Sequence, residues 1–201
     1  MYIILEGMPA TGKTTISKKL AKILNAVYMK SVMSNTDYGR VIKEFRDIED
    51  FSDLLYQSDL LLDELKVYSY LDKVNIVRDK TWTSTIAHLN THGFKTSNDF
   101  IEKILLTGYN ELINYYVQPD LVIYLTPNYN AIQSSALYKT DYSAIDDYLI
   151  KNLDLYKKQD FELKALINKY FNNVLILNSF QSNVDEMCDV IIRNLGSSFC
   201  E

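Results

Sequence analysis

The feature that most constrains this chain lies at its start. A short apolar run, Tyr2 to Leu5, is followed by Gly7, four residues, and then Gly12, Lys13 and Thr14. This is the pattern GxxxxGK[ST], which demands a strand before it and a helix after it. The sequence supplies both, because Ile16, Leu20, Ile23 and Leu24 follow at helical spacing. Glycines let the backbone curl so that its N–H groups point inward, and the helix starting near Lys13 adds the positive end of its dipole. The residues expected around a nucleotide's phosphates are therefore Gly7, Met8, Pro9, Ala10, Thr11, Gly12, Lys13, Thr14 and Thr15. Lys13 is placed to reach the β and γ phosphates, and the Thr14 hydroxyl to ligate Mg²⁺. Such a loop serves a kinase, a hydrolase, a switch or a passive sensor equally well.

Further along, short β-branched runs bounded by polar or turn residues predict buried strands. They are VNIVRD (74–79), LVIYLT (121–126) and NVLILN (173–178), with AVYMKS (26–31) a weaker candidate. Helical spacing lies between them, as at Ile101, Leu105, Leu112 and Ile113. Alternation of strand and helix predicts an α/β fold with a parallel sheet of about five strands flanked by helices. At 201 residues the chain reads as one domain, 1–201. Ligands of such sheets bind beyond the carboxyl ends of the strands, which nominates Lys30, Asp79, Thr126 and Asn178 beside the glycine loop. A stretch of weak pattern over 129–142, with Lys139 its sole cation, is expected to form a mobile lid. A long helix is expected from Ser143 to about Tyr170.

A formal net charge of -5 argues against broad binding to nucleic-acid polymers or membranes and suits a small phosphorylated ligand held by a local cluster of cations. Two cysteines, Cys188 and Cys200, make neither a disulfide framework nor a zinc pattern, so a reduced cytoplasmic protein is expected. No apolar stretch approaches the roughly 20 residues of a membrane span, and the run before the loop is too short for a signal peptide. The guanine-reading NKxD of switch GTPases is absent, and VNIVRDK carries one acid where large ATPases carry a pair. A phosphotransferase fits best.

The stretch VNIVRDKTWTSTIAHL resembles a segment of thymidylate kinases and related deoxynucleoside kinases: a strand, then DR[YFH], two residues, then SxxAY. Asp79 and Lys80 stand at the Asp-Arg positions, Ser84 at the serine, Ala87 at the alanine and His88 at the tyrosine. Other landmarks follow in order. LEGMPATGKTT resembles EGxDGxGKTT, DYGRVIKEF resembles GExIRxLL, LLYQSDLLLDEL resembles LFxADRxxHxxE, and QPDLVIYL resembles PDLxIYLD. The resemblance spans about residues 1–160. It implies a three-layer P-loop kinase fold, ATP and Mg²⁺ as donor and cofactor, a small nucleotide or nucleoside as acceptor, and the homodimer many such kinases form. It also places Tyr56 at a base-stacking aromatic, with Gln57 beside it able to read a base edge, and His88 against the acceptor pocket. The departures are equally specific. Lys30, Leu60, Lys80 and Lys139 stand where arginines are usual, and Pro9 replaces an acid that contacts the acceptor sugar. Lysine keeps the charge but loses the planar fork that grips phosphate through two bonds.

The acceptor follows from charge. A nucleoside hydroxyl must lose a proton and needs a carboxylate nearby, whereas a monophosphate is already anionic and needs cations. After the second strand the first charge is Lys30, with no acid before Asp37. A charge pair at about 4 Å is worth roughly 4 kcal/mol at an effective dielectric near 20, enough to discriminate. A (deoxy)nucleoside monophosphate is therefore the expected acceptor, its phosphate met by Lys30, Arg40 and Lys80, with Asp79 holding a water of the Mg²⁺ shell. Two alternatives stay open: a kinase of nucleosides or other small-molecule hydroxyls with Asp37 or Asp79 as base, and a nucleotide-binding protein without catalysis.

Overall fold

The apolar runs all enter one parallel sheet, within the residues that a computed structural model describes: 1–30, 49–93, 99–132, 144–179 and 183–198. In chain order the elements are β1 (Tyr2–Gly7), α1 (Lys13–Ile23), β2 (Val27–Lys30), α2 (Glu49–Tyr70), β3 (Ile76–Asp79) and α3 (Trp82–His92). There follow α4 (Asp99–Tyr115), β4 (Leu121–Thr126), α5 (Ala144–Lys151), α6 (Leu153–Tyr170), β5 (Val174–Asn178) and α7 (Val184–Ser198). The strand order is β2-β3-β1-β4-β5, and every pairing is parallel. β1 lies in the centre with all six residues buried, whereas β2 and β5 are the partly exposed edges. This burial explains why β4 reads as an unbroken apolar run and the edge strand β2 reads weakly.

Alternation along the strands sorts the core into two layers. Ile3 and Leu5 of β1, with Leu121, Ile123 and Leu125 of β4, face α1 and α7. Tyr2 and Ile4, with Val122 and Tyr124, face the other side, where α2 to α6 supply Leu60, Trp82, Leu105, Leu149 and Tyr156. Trp82 is fully buried there against Tyr116, Tyr170 and Phe171, with ring centroids 5.2, 5.2 and 6.1 Å away. Charged groups are buried on this side as well, among them Glu6, Asp160 and Arg78. Arg78 of β3 is completely buried and is held by Glu64, by Asp63 at 3.5 Å and by the Tyr2 hydroxyl at 3.2 Å. Burial alone would pull the guanidinium pKa down, and the three acidic neighbours outweigh it and hold it up.

One expectation changes. The helix predicted from Ser143 to Tyr170 is two helices, because Asn152 interrupts it: its side chain accepts from the Leu155 amide at 3.4 Å and caps a new start. The expected lid falls mostly outside the described residues. Its beginning, 129–132, is a turn that buries Ile132 and ties the Tyr129 hydroxyl to Asp160 at 2.5 Å. Cys188 is buried and unpaired, its thiol pKa pushed up by burial, and Cys200 lies outside the described residues. Among the described residues, no helix is long and apolar enough to cross a membrane.

Candidate active site

The glycine loop has the backbone its sequence requires. Gly7 leaves β1 at φ 142°, and a Cβ there would lie 2.6 Å from the Leu125 carbonyl oxygen, which no side chain tolerates. Gly12 caps α1 in the left-handed region at φ 82°. Between them Ala10 also sits at φ 66°, a conformation that costs an L residue about 1–2 kcal/mol. The Thr11 hydroxyl and the Lys13 ammonium both donate to the Met8 carbonyl, at 2.9 and 2.6 Å. Lys13 is 5% exposed, Met8 and Pro9 are buried, and Thr15 is exposed with its amide bonded to the Gly12 carbonyl at 3.1 Å. The first turn of α1 carries no acid, so the positive end of its dipole faces the loop uncompensated.

On the α1 side of the sheet, β3 ends at Asp79. The Thr14 hydroxyl donates to Asp79 Oδ2 at 2.6 Å, and the Tyr28 hydroxyl of β2 donates to the same oxygen at 3.2 Å. Burial and then the adjoining carboxylate push the Tyr28 phenol pKa up, so it stays a donor. Lys30 is exposed at the end of β2, in register with Asp79. A hydroxyl and a carboxylate side by side at a phosphate loop are hard oxygen donors of the kind Mg²⁺ accepts while keeping most of its waters.

Across the sheet stands a residue that sequence reasoning did not nominate. Glu6 is fully buried at the end of β1. Its Oε1 accepts from the Thr81 amide at 2.8 Å, the Thr81 hydroxyl at 2.8 Å and the Thr83 hydroxyl at 2.7 Å, and its Oε2 from the Ser84 hydroxyl at 2.6 Å. Ser84, expected to face the acceptor, thus directs its proton at Glu6. Lys80 sits at φ 72° with its amide bonded to the Leu5 carbonyl at 3.0 Å, so β1 holds both ends of the turn from 80 to 84. The signals for Glu6 in the sequence were an acid closing a run that is otherwise apolar and the glutamate that opens the EGxDGxGKTT resemblance.

The remaining nominated residues scatter. Gln57 is buried against α4 with its amide donating to the Leu105 carbonyl at 2.6 Å. His88 is half-buried on α3, stacked on His92 with centroids 4.4 Å apart and 3.4 Å from Gln159 of α6. Tyr56 belongs to α2, while Arg40 and Lys139 lie outside the described residues. A second unforeseen contact comes from α6, where the buried Tyr156 hydroxyl donates to the Pro9 carbonyl at 2.7 Å and so steadies the loop. Nearby, the buried Asp160 accepts from Tyr124, Tyr129 and Lys164.

Comparison with known proteins follows this geometry. No family model matches the chain. It is 27% identical over 205 residues to a probable thymidylate kinase of Methanocaldococcus jannaschii, covering 97% of this chain and 95% of the relative. It is 32% identical over 205 residues to a probable thymidylate kinase of Methanococcus maripaludis strain C6, covering 96% and 93%. Among solved structures, thymidylate kinase from Candida albicans superposes with a TM-score of 0.73 at 16% identity, over 98% of this chain and 91% of that one. Deoxyadenosine kinase from M. mycoides, with products dCMP and dCDP bound, gives 0.69 at 17% identity over 98% and 100%.

Proposed function

The chain belongs to the thymidylate kinase family, and on that premise we propose that it transfers the γ-phosphoryl group of ATP to a (deoxy)nucleoside monophosphate. The observation that carries the reading is the 2.6 Å contact between Thr14 and Asp79, which puts a strand-end carboxylate against the hydroxyl of the phosphate loop. Backbone amides of the loop between Gly7 and Thr14, Pro9 excepted, cradle the donor's phosphates, and Lys13 turns from the Met8 carbonyl to the β and γ oxygens. Thr14 and, through water, Asp79 would hold Mg²⁺, which when bound neutralises charge on the phosphate oxygens. Lys80 adds a cation beside the transferred group, and Lys139 another from the lid over 129–142. Lys30 and Arg40 take the acceptor's phosphate.

The alternative with Asp79 as general base is weaker, because Oδ2 already accepts two hydroxyl protons. Cytoplasmic residence, a single domain and pairing into a homodimer belong to the same proposal. The dimer is supported by apolar side chains that α2 and α4 leave exposed, with Leu65 at 66% and Phe100 at 70%. The deciding experiment pairs each nucleoside with its monophosphate as acceptor and follows ADP release. Turnover confined to nucleosides would sink the monophosphate reading, and ATP binding without turnover of any acceptor would leave a nucleotide-binding protein without catalysis.

A further inference from the structure

We infer that Glu6 is a positioning residue that couples the donor loop to the acceptor side by fixing the turn from Lys80 to Ser84. The inference rests on the kinase reading above. Glu6 is the last β1 residue before Gly7, so its backbone sets where the phosphate loop begins. Its side chain holds the far turn through four donors, and all four come from Thr81, Thr83 and Ser84. Every one of these donors is neutral. A fully buried carboxylate held by neutral donors is expensive unless both of its oxygens are hydrogen-bonded. Here four short bonds and the N-terminus of α3 satisfy it, since anions are favoured at that end of a helix.

The arrangement also fixes a polarity. A carboxylate only accepts, so the Ser84 proton points at Glu6, and toward anything bound beyond it Ser84 presents lone pairs. Ser84 then favours a ligand N–H or O–H over an anionic phosphate oxygen. Glutamine at position 6 would keep an oxygen for Thr81 and Thr83, but its NH₂ would face Ser84 and reverse that bond. The turn would stay near its place but be held by weaker, neutral bonds in place of charge-assisted ones, with Ser84's polarity inverted.

A cycle of Glu6→Gln, Ser84→Ala and the double variant tests this on the full chain. Glu6→Gln is expected to lower kcat/KM for the acceptor by about tenfold to a hundredfold, as small misplacements near the chemistry do. ATP affinity by calorimetry should stay within about threefold of the parent. In the Ser84→Ala background the Glu6→Gln effect should shrink to about threefold or less, since the two act through one contact. Amide exchange at 81–84 should quicken in Glu6→Gln whether or not an acceptor is known, so this readout judges Glu6 even if the kinase reading fails. Should Glu6→Gln not fold, Thr83→Val removes one donor to the same oxygen and is expected to quicken the same amides. Unchanged exchange at 81–84 overturns the inference, as does a fall in ATP affinity that matches the loss in kcat/KM.

Discussion

The donor loop and the acceptor turn are held in opposite ways. In the loop, the Thr11, Lys13 and Tyr156 side chains donate to the backbone carbonyls of Met8 and Pro9, so side chains brace a backbone whose shape glycine sets. At the turn, backbone and side-chain donors from 81 to 84 converge on one carboxylate about 75 residues earlier in the chain. The loop is a local device that any strand and helix can frame. The turn exists only when β1 and β3 pair. Lys30 and Lys80, which the resemblance sets at arginine positions, lie at or beyond strand ends, outside the loop.

Substitutions can break this contrast. The largest effect is expected from Lys13→Ala, which removes the cation on the transferring group and should reduce phosphoryl transfer by about a thousandfold or more in a steady-state assay. A purified variant with near-normal turnover would remove the loop from the chemistry. Next comes Arg78→Ala, which leaves Glu64 and Asp63 facing an uncompensated buried site and should cost about 3–5 kcal/mol in urea unfolding. A cost under about 1 kcal/mol would mean that this ion cluster does not anchor α2 to the sheet. Asp79→Asn keeps the shape beside Thr14 and should lower kcat about a hundredfold while raising the Mg²⁺ concentration needed for half-maximal rate. Equal loss at every Mg²⁺ concentration would argue for a role in folding instead.

Two smaller effects sharpen the picture. Burial pushes the Tyr2 hydroxyl from 10 up to about 12. Its contribution to stability is whole below pH 10, where the tyrosine is neutral in both states. Between pH 10 and 12 the unfolded chain gives up the proton first, so stability falls as pH rises. Alkaline unfolding of the parent, followed by tyrosine absorbance, should therefore steepen above pH 10, and Tyr2→Phe should flatten it. Smallest is Ala10→Gly in the loop. Relief of the left-handed strain outweighs the added chain entropy by up to about 1 kcal/mol, measured as a higher urea midpoint. A lower midpoint would show that the Ala10 methyl packs with more benefit than its backbone suffers.

Much of the fold was legible because its signals are short-range. Runs such as LVIYLT, which forms β4 without a residue's error, are written in hydrophobic period and turn residues, and so is the glycine loop. Long-range partners were not legible. Ser84 and Gln57 were placed at the site by analogy with a motif, yet a hydroxyl and an amide have no preferred partner until the fold brings one within reach. The structure gave Ser84 to Glu6 and Gln57 to the Leu105 carbonyl. Asn152 shows the same limit on a smaller scale, since helical spacing continues through it and its non-helical backbone and side-chain bond to Leu155 mark the break.

By itself, then, the sequence determined a parallel α/β sheet and a phosphate cradle, because short apolar runs, helical period and glycine's freedom act over a few residues. Tertiary structure alone decided which polar groups meet: Thr14 with Asp79, Tyr28 with the same oxygen, and Glu6 with the turn from 81 to 84. The physical reason is that a buried polar group must find its partner wherever the packed chain offers one. Distance along the chain says nothing about where that will be.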